Sequence, residues 1–245
     1  MSIQGLAIDS DIESTNTDTL GGSFVKSTGL YPVVVDTAYL GKSQGGAMSL
    51  NLALKVANER TIIRQTLWVT SGDAKGNKNY YTTKDNKKRL LPGMIQADQI
   101  AMILTGKNMA SLTVEKKTIK LWDYTAQAEK PTEVDALTEM IGQSMLIGVH
   151  KVRTNKVKKD SNGKYVNQTE ERLFNEIDKL FYPDGFSVTE KAAEAEQPLF
   201  HKKWDEEYSE DYVNDRYKEV TDTTDDDSLP NTDSTSTDSL FTEDE

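Results

Sequence analysis

Residues 30–57 read LYPVVVDTAYLGKSQGGAMSLNLALKVA and predict two β-strands joined by a hairpin turn. The first part, Leu30–Leu40, is rich in the β-branched and aromatic residues that strands favour, and its proline stands near the start. Gly41–Gly46 has the glycine and polar residues of a hairpin turn. In Ala47–Ala57, apolar residues occupy every second position, which is the period of an antiparallel strand with one buried face.

The segments that follow this hairpin predict a third strand and one helix. Arg60–Thr70 continues the meander as strand three, with a basic and aromatic face opposite its apolar face. A long polar loop, Ser71–Pro92, comes next. Apolar residues at helical spacing predict a short helix over Met94–Leu104, and Gly106 is expected to end it.

Further strands are predicted in the second half of the basic region. Leu112–Tyr124 is expected to be strand four, and Thr132–Leu137 a short connecting helix. Met145–Lys159 and Tyr165–Leu173 predict a last hairpin, because the Asn162-Gly163 pair between them favours a tight turn. Three meandering strands, a helix and more strands follow the order of an OB-fold, so we predict a mainly β, OB-like antiparallel barrel with one short helix between strands three and four.

The composition divides the chain into four parts. Residues 24–183 are the predicted OB-like domain, and residues 1–23, rich in Ser, Thr and Asp, are a predicted flexible arm. Residues 184–220 form an extension in which Val188–Gln197 favours helix and the following part is acidic and aromatic. Residues 221–245 have too few large apolar residues to offset the loss of chain entropy on folding, so we expect a disordered acidic tail.

Charge is segregated along the chain, whose net charge is -11. Phe24–Lys164 contains 22 basic and 12 acidic residues, a net charge of +10, whereas Trp204–Glu245 contains 2 basic and 16 acidic residues, a net charge of -14. This asymmetry indicates a nucleic-acid partner for the basic body and a different role for the acidic end. The alternative interpretation is that segregated charge only keeps the protein soluble.

The residue types present argue against an enzyme. The chain has no cysteine, which excludes disulfides, thiolate zinc sites and cysteine nucleophiles. Its two histidines, His150 and His201, are distant in sequence and no acidic pair flanks either at ligand spacing, so we expect no metal, no cofactor and no catalytic triad. We interpret His150 as a strand residue with satisfied hydrogen bonds. No apolar run approaches the roughly 18 residues that span a bilayer, so we expect a soluble, intracellular protein without a membrane partner.

Basic residues interleaved with aromatic residues are the pattern that remains. Binding of single-stranded DNA requires both, because cations follow the phosphates and flat side chains stack on bases of any kind for about 1–3 kcal/mol each. The predicted DNA contacts are Lys42, Arg60, Arg64, Trp68, Lys75, Lys78, Tyr80, Tyr81, Lys87, Lys88, Arg89, Lys120, Trp122, Lys151 and Arg153. For Trp68 and Trp122, packing in the core is the alternative.

The acidic tail has a predicted function of its own. A tethered polyanion is present at roughly millimolar effective concentration beside a basic groove, where it competes with weak ligands. Once DNA occupies the groove, the released tail is expected to dock on partner proteins. The predicted docking residues are Asp238, Leu240, Phe241, Glu243, Asp244 and Glu245. A plain solubilising tail is the alternative, although it would not need the apolar Leu240-Phe241 pair.

The opening strands carry a resemblance to a known family. Gly29–Asp36 (GLYPVVVD), then Lys42, Gly45-Gly46 and Met48–Leu52 (MSLNL), is similar to the G-x-Y-x-V-x-I … K-x-x-G-G-x-x-L-x-L start of single-stranded DNA-binding proteins of tailed bacteriophages. An acidic tail with a near-terminal aromatic, here Phe241, is also typical of such proteins. The resemblance covers about thirty residues and transfers no individual DNA-contacting position.

This resemblance implies an OB-fold and a role in DNA replication, recombination and repair in the cytoplasm of an infected bacterial host. It also implies tail contacts to replication or recombination proteins such as a polymerase, a helicase or an RNA polymerase, and it is compatible with an oligomer. The chain departs from the family by the long segment Phe174–Tyr217 after the last hairpin. Two other interpretations stay open: an acidic protein-binding or DNA-mimic module that inhibits a host factor, and a virion assembly protein.

Overall fold

The computed structural model describes residues 25–123, 126–161 and 163–220, in which the chain is mainly β. The strands are β1 (Gly29–Lys42), β2 (Met48–Val56), β3 (Ile62–Trp68), β4 (Tyr80–Thr82), β5 (Lys88–Leu90), β6 (Glu115–Asp123), β7 (Ala128–Ala136), β8 (Ser144–Lys159), β9 (Tyr165–Phe181) and β10 (Val213–Asp215). The helices are α1 (Pro92–Thr105), α2 (Val188–Ala192) and α3 (Phe200–Glu207). The predicted arm (residues 1–23) and the predicted tail (residues 221–245) lie outside the described residues.

β1 is the middle strand of the order β10-β8-β1-β2-β3 in the main sheet, and it also pairs with β7. Its first half pairs antiparallel with β8 and its second half antiparallel with β2, while Tyr39 and Leu40 near its end pair with β7. A β-bulge between Val35 and Thr37 leaves Asp36 without a register partner in β2. Bulges of this kind redirect a side chain and bend the strand.

The three predicted opening strands are confirmed, and their alternation forms the core. Leu50 and Leu54 on β2 and Leu67 on β3 are fully buried, together with Ile100 from α1. Each such side chain stabilises the fold by about 1.5–3 kcal/mol through burial. Met48, which shares the apolar period of β2, is 38% exposed because it stands at the first position of the strand.

The prediction of a closed barrel is wrong. The order of hydrogen-bonded strands in the main sheet is β10-β8-β1-β2-β3, with β9 beside β8 and the β6–β7 hairpin attached to β1. Among the described residues, β3 pairs only with β2 and is therefore an edge strand, so the sheet is open. Helix α1 lies between the strands that closure would join. Gly93 approaches β3 so closely that a Cβ would lie 2.3 Å from the Trp68 carbonyl oxygen, and Gln96 donates a hydrogen bond to the Ile177 carbonyl of β9 over 3.1 Å.

Helix α1 follows strand three and precedes β6, as predicted. It begins with Pro92, whose fixed φ suits the first helical turn, and ends at Gly106, which adopts a left-handed φ of 72°. The predicted polar loop before it is more regular than expected, because β4 and β5 form a small antiparallel hairpin within it. No helix in the described ranges is long and apolar enough to cross a membrane.

The prediction of a helix over Thr132–Leu137 is wrong. This segment belongs largely to β7, which pairs antiparallel with β6 along its whole length. Val134 and Ala136 are buried while Glu133 and Asp135 are more exposed, so this part of the segment has the period of a strand. Val134 and Thr132 are also β-branched, which favours strand over helix.

The last predicted hairpin is confirmed, but its strands are longer than expected. β8 and β9 have 16 and 17 residues, and β9 continues to Phe181. The chain then packs back on α1 through α2 and on β8 through α3 and the parallel strand β10. The helix predicted over residues 188–197 covers only Val188–Ala192, and a capping box of Ser187 and Glu190 begins it.

Candidate nucleic-acid interface

The outer face of β1, β2 and β3, opposite the core, carries polar and aromatic side chains. Register places these residues in rows across the three strands. In the order β1, β2, β3, the rows are Thr37, Ala53, Arg64; then Tyr39, Asn51, Thr66; then Gly41, Ser49, Trp68. Arg64 and the half-buried Trp68 thus share this face, as the alternation predicts, whereas Arg60 lies in the turn before β3.

Side-chain hydrogen bonds fix the residues in the middle of this face. Thr66 donates from Oγ1 to Asn51 Oδ1 over 2.9 Å, and Asn51 donates from Nδ2 to Ser49 Oγ over 3.1 Å. A Cβ at Gly41 would lie 2.5 Å from Asn51 Nδ2. The glycine therefore leaves the space that this amide needs, and the surface beside Trp68 stays flat.

A cleft of about 270 Å³ opens between this face and the β6–β7 hairpin. The residues of its lining that carry charge, hydroxyl or large apolar groups include Asp36, Tyr39, Arg64, Ile119, Lys120 and Glu129. Burial raises the pKa of the Tyr39 hydroxyl above its ordinary value, and the positive charge of Arg64 partly opposes that rise. Tyr39 and Arg64 are therefore close enough to interact electrostatically.

The charged side chains of the cleft are balanced in sign and unpaired. Arg64 and Lys120 are basic, Asp36 and Glu129 are acidic, and none of the four makes an ion pair or side-chain hydrogen bond within the described residues. Unpaired charges at the wall of a cleft are available to a ligand. The acidic pair and Tyr39 were not among the predicted contacts, although the strand alternation could have placed Tyr39 on the outer face with Arg64.

The β4–β5 hairpin carries the densest group of predicted contacts. The Tyr80 ring lies between two lysines, with Lys88 Nζ 4.8 Å and Lys78 Nζ 5.8 Å from its centroid. Tyr81 is 40% exposed and opposes Arg89 in the register, on the other face of the hairpin. Tyr80 is thus engaged by its own cations, whereas the Tyr81 ring is presented to solvent.

The loop that precedes this hairpin is hydrogen-bonded to the end of the main sheet at which β1 and β2 are joined. Asp73 donates its backbone N–H to the Gly45 carbonyl over 2.8 Å, which joins the loop after β3 to the turn between β1 and β2. Lys42, at the end of β1, and Lys75, in that loop, therefore belong to one end of the sheet. Lys87 is exposed in the turn between β4 and β5.

Lys120 and Trp122 lie on β6, the strand that borders the cleft from the other side. They are two residues apart and so share one face of the β6–β7 hairpin, on which Trp122 pairs in register with Glu129. Trp122 is 51% exposed, which is inconsistent with the core-packing alternative for this residue. The hairpin joins β1 at Tyr39 and Leu40, the same end of the sheet that carries the β4–β5 hairpin.

Lys151 and Arg153 are placed elsewhere. The pairing of β8 with β1 ends where Val149 pairs with Gly29, and Lys151 and Arg153 lie on β8 beyond that pair. Tyr39 is ten residues further along β1 from Gly29, or about 33 Å of strand at about 3.3 Å per residue. The structure therefore does not bring these two predicted contacts to the cleft.

Arg153 is also occupied by the chain itself. It donates from Nε to Glu171 Oε2 over 2.7 Å and from Nη1 to Asp215 Oδ2 over 3.1 Å, and its guanidinium carbon lies 4.7 Å from the Tyr217 ring centroid. These two hydrogen bonds hold the pKa of Arg153 above its ordinary value. The extension thus contacts Arg153 through the carboxylate of Asp215 and the ring of Tyr217.

An aromatic cluster joins the extension to β8, and sequence reasoning missed it. The His150 ring stacks on Trp204 at 5.3 Å, and Tyr208 and Tyr212 pack around it with centroids at 4.6 Å and 5.0 Å. Trp204 is buried and donates from Nε1 to Asp178 Oδ2 over 2.7 Å. The aromatic spacing in the extension was the available signal for this packing.

His150 itself differs from the prediction in one respect. It is a buried strand residue, as expected, but its Nε2 has no hydrogen-bond partner among the described residues. The nearest carboxylate oxygen, Asp178 Oδ2, is 4.0 Å away. Burial lowers the pKa of His150, against the opposing effect of the Asp178 charge.

The predicted docking residues of the tail lie outside the described residues, and their role stays a prediction. These residues are Asp238, Leu240, Phe241, Glu243, Asp244 and Glu245. No known protein-family model matches the chain, and no curated protein is similar to it at a significant level.

Proposed function

We propose that the chain binds single-stranded DNA, mainly without regard to base sequence, as a replication, recombination and repair protein of a bacteriophage. The observation that carries this proposal is the arrangement at one end of the main sheet. There, the cleft carries the unpaired Arg64 and Lys120, the β6–β7 hairpin presents the exposed ring of Trp122, and the β4–β5 hairpin presents the exposed ring of Tyr81. Cations that follow phosphates and rings that stack on bases are the two requirements of such binding.

The charge pattern supports the same proposal. The β4–β5 hairpin and its flanking loops contain Lys75, Lys78, Lys84, Lys87, Lys88 and Arg89. No ion pair of these six side chains occurs within the described ranges. Surface cations without acidic partners raise the local concentration of a polyanion and speed its association. Asp215 of the extension pairs instead with Arg153 on β8, and Arg216 of the extension pairs with Glu176 on β9.

A titration with oligo-thymidylate tests the proposal. The full chain has three tryptophans: Trp204 is buried against β8, whereas Trp122 is exposed and Trp68 is half-buried on the outer face, so quenching of Trp122 and Trp68 reports binding against the background of Trp204. We expect quenching in the wild type and a smaller signal in Trp122→Phe. Affinity should fall steeply between about 50 and 200 mM salt because phosphate contacts release counterions. Absence of binding at low salt, in both the full chain and a chain without residues 221–245, contradicts the proposal.

We further propose that residues 221–245 compete with DNA and recruit replication or recombination proteins. This segment contains nine acidic residues and no basic residue. Its deletion should tighten DNA binding at low salt, because a tethered polyanion is lost. A variant of the same length with Asn and Gln in place of its acids separates charge from length. Equal DNA affinity in all three chains contradicts the competition.

A further inference from the structure

The cleft differs chemically from the basic surfaces beside it. A groove that only follows phosphates is lined by cations, as the β4–β5 hairpin is. The cleft instead holds two carboxylates, Asp36 and Glu129, with two cations, Arg64 and Lys120. Carboxylates repel phosphates but accept hydrogen bonds from the amino and imino groups of bases. The mixed lining therefore suits a base better than the sugar-phosphate backbone.

The β-bulge in β1 supports a ligand-binding role for Asp36. The residue has no register partner in β2, and its carboxylate has no ion pair or hydrogen bond within the described part of the chain. Bulges occur often beside functional sites, where they redirect a side chain. Across the bulge the buried positions of β1 change from Val33 and Val35 to Ala38, and Asp36 is left exposed at the shift.

The spacing of the strands sets the distance between the two unpaired charges. Thr37, next to Asp36, lies in one row with Ala53 and Arg64, so β2 separates the carboxylate from the guanidinium. Neighbouring strands are about 4.8 Å apart, so β1 and β3 are about 10 Å apart. Side chains that lean toward each other across this distance leave room for one planar ring system.

We propose, on the basis of the proposed function, that the cleft holds one base of the bound strand and selects guanine at that position. Guanine presents two adjacent acceptors, O6 and N7, which match the two parallel donors of the Arg64 guanidinium. It also presents two adjacent donors, N1–H and the N2 amino group, which match the Asp36 carboxylate. Adenine and thymine lack both pairs, and cytosine lacks the pair of adjacent donors. The half-buried ring of Tyr39 forms part of the cleft wall.

The test is a competition experiment with the full chain. Unlabelled strands displace a labelled oligo-thymidylate of equal length. Its length is about 16 nucleotides, the upper end of the site size of a single OB-fold. The strands are all thymidine or carry one central deoxyguanosine, deoxyadenosine, deoxyinosine or 7-deazadeoxyguanosine. We expect the deoxyguanosine strand to bind about 5-fold or more tightly than the all-thymidine strand. Deoxyinosine lacks the N2 amine and 7-deazaguanine lacks N7, so both should lose part of this preference.

Variants assign the preference to the cleft. Arg64→Lys retains the charge but not the paired donors, and Asp36→Asn replaces one acceptor by a donor, so both should abolish the deoxyguanosine preference. Arg172→Lys is the matched control, because Arg172 lies on β9 against Phe174, and it should keep the preference. Equal binding of the deoxyguanosine and thymidine strands by the wild type overturns the inference and leaves the proposed function intact. A preference that survives in both cleft variants also overturns it. Failure of the wild type to bind any strand overturns both proposals.

Discussion

Trp204 of helix α3 packs directly over Gly148 of strand β8. A Cβ at position 148 would lie 3.1 Å from Cζ2 of the indole and 3.2 Å from two further ring atoms. The glycine therefore provides the flat surface on which the extension docks, and the indole is held there by its hydrogen bond to Asp178.

Gly148→Ala should destabilise the protein by about 1–3 kcal/mol, because the methyl group forces the buried indole out of its packing position. Urea unfolding followed by circular dichroism measures the loss. Gly45→Ala is the matched control, since the nearest atom to a Cβ at that turn is Ser43 Oγ at 3.9 Å. The control should be neutral or slightly stabilising. Equal stability of Gly148→Ala and the wild type would show that the extension is not anchored there.

The buried His150 predicts a pH dependence of stability. Burial lowers its pKa in the folded chain below the value of about 6.5 expected in the unfolded chain. The unfolded state therefore binds more protons as the pH falls through 6.5, and the free energy of unfolding should decrease by up to about 1.4 kcal/mol per pH unit until the folded pKa is reached. Above about pH 7.5 this contribution is constant.

His150→Phe keeps an aromatic ring in the cluster and removes the titration. The difference in unfolding free energy between wild type and variant, measured by urea unfolding between about pH 5 and 8, should change with pH in the window given above. Carboxylates with lowered pKa values, such as those of Glu59 and Asp215, titrate in both proteins and cancel in the difference. His150→Gln serves if the phenylalanine variant does not fold. Parallel pH profiles for wild type and both variants would contradict the prediction.

Local patterns in the sequence were sufficient to predict most strands, but not to predict that the sheet is open. Alternation predicts β2, and the Asn162-Gly163 turn predicts the β8–β9 hairpin. The open sheet depends on contacts between distant residues, of which the hydrogen bond from Gln96 to the Ile177 carbonyl is one. No local pattern encodes that contact, so sequence order alone suggested closure.

The sequence predicts only part of the candidate site, because local patterns reveal some of its residues and contacts between distant segments determine the others. Arg64 and Trp68 follow from the period of β3, because a strand alternates its faces. Asp36 was missed because a bulge shifts the register locally. Glu129 was missed because β7 was not predicted: a helix was expected from Thr132, and the residues before it were assigned to no element. Arg153 was included because charge in the sequence does not reveal its two ion pairs with Glu171 and Asp215.

Removal of two cations from the β4–β5 hairpin should change the salt dependence of DNA binding. Each phosphate contact on single-stranded DNA contributes about -0.7 to the slope of log affinity against log salt, so Lys87→Gln with Arg89→Gln should reduce the slope by about 1.4. Lys202→Gln with Lys203→Gln on α3 is the control, because it removes the same charge from another exposed surface. An equal change of slope in both double variants would indicate a general effect of net charge and no contact at the hairpin.

The exposed ring of Tyr81 predicts a stacking contact that can be separated from charge. Tyr81→Ala should weaken binding of oligo-thymidylate by about 1–3 kcal/mol, or roughly 5- to 150-fold, because one base loses its partner. Tyr81→Phe keeps the ring and should bind like the wild type. The side chain is 40% exposed and opposes Arg89 on a two-stranded hairpin outside the core, so its truncation should leave the free energy of unfolding within about 0.5 kcal/mol of the wild type. Fluorescence anisotropy of a labelled strand measures the affinity. Wild-type affinity in Tyr81→Ala would exclude stacking at this ring and leave Trp122, on the β6–β7 hairpin, as the exposed aromatic to test.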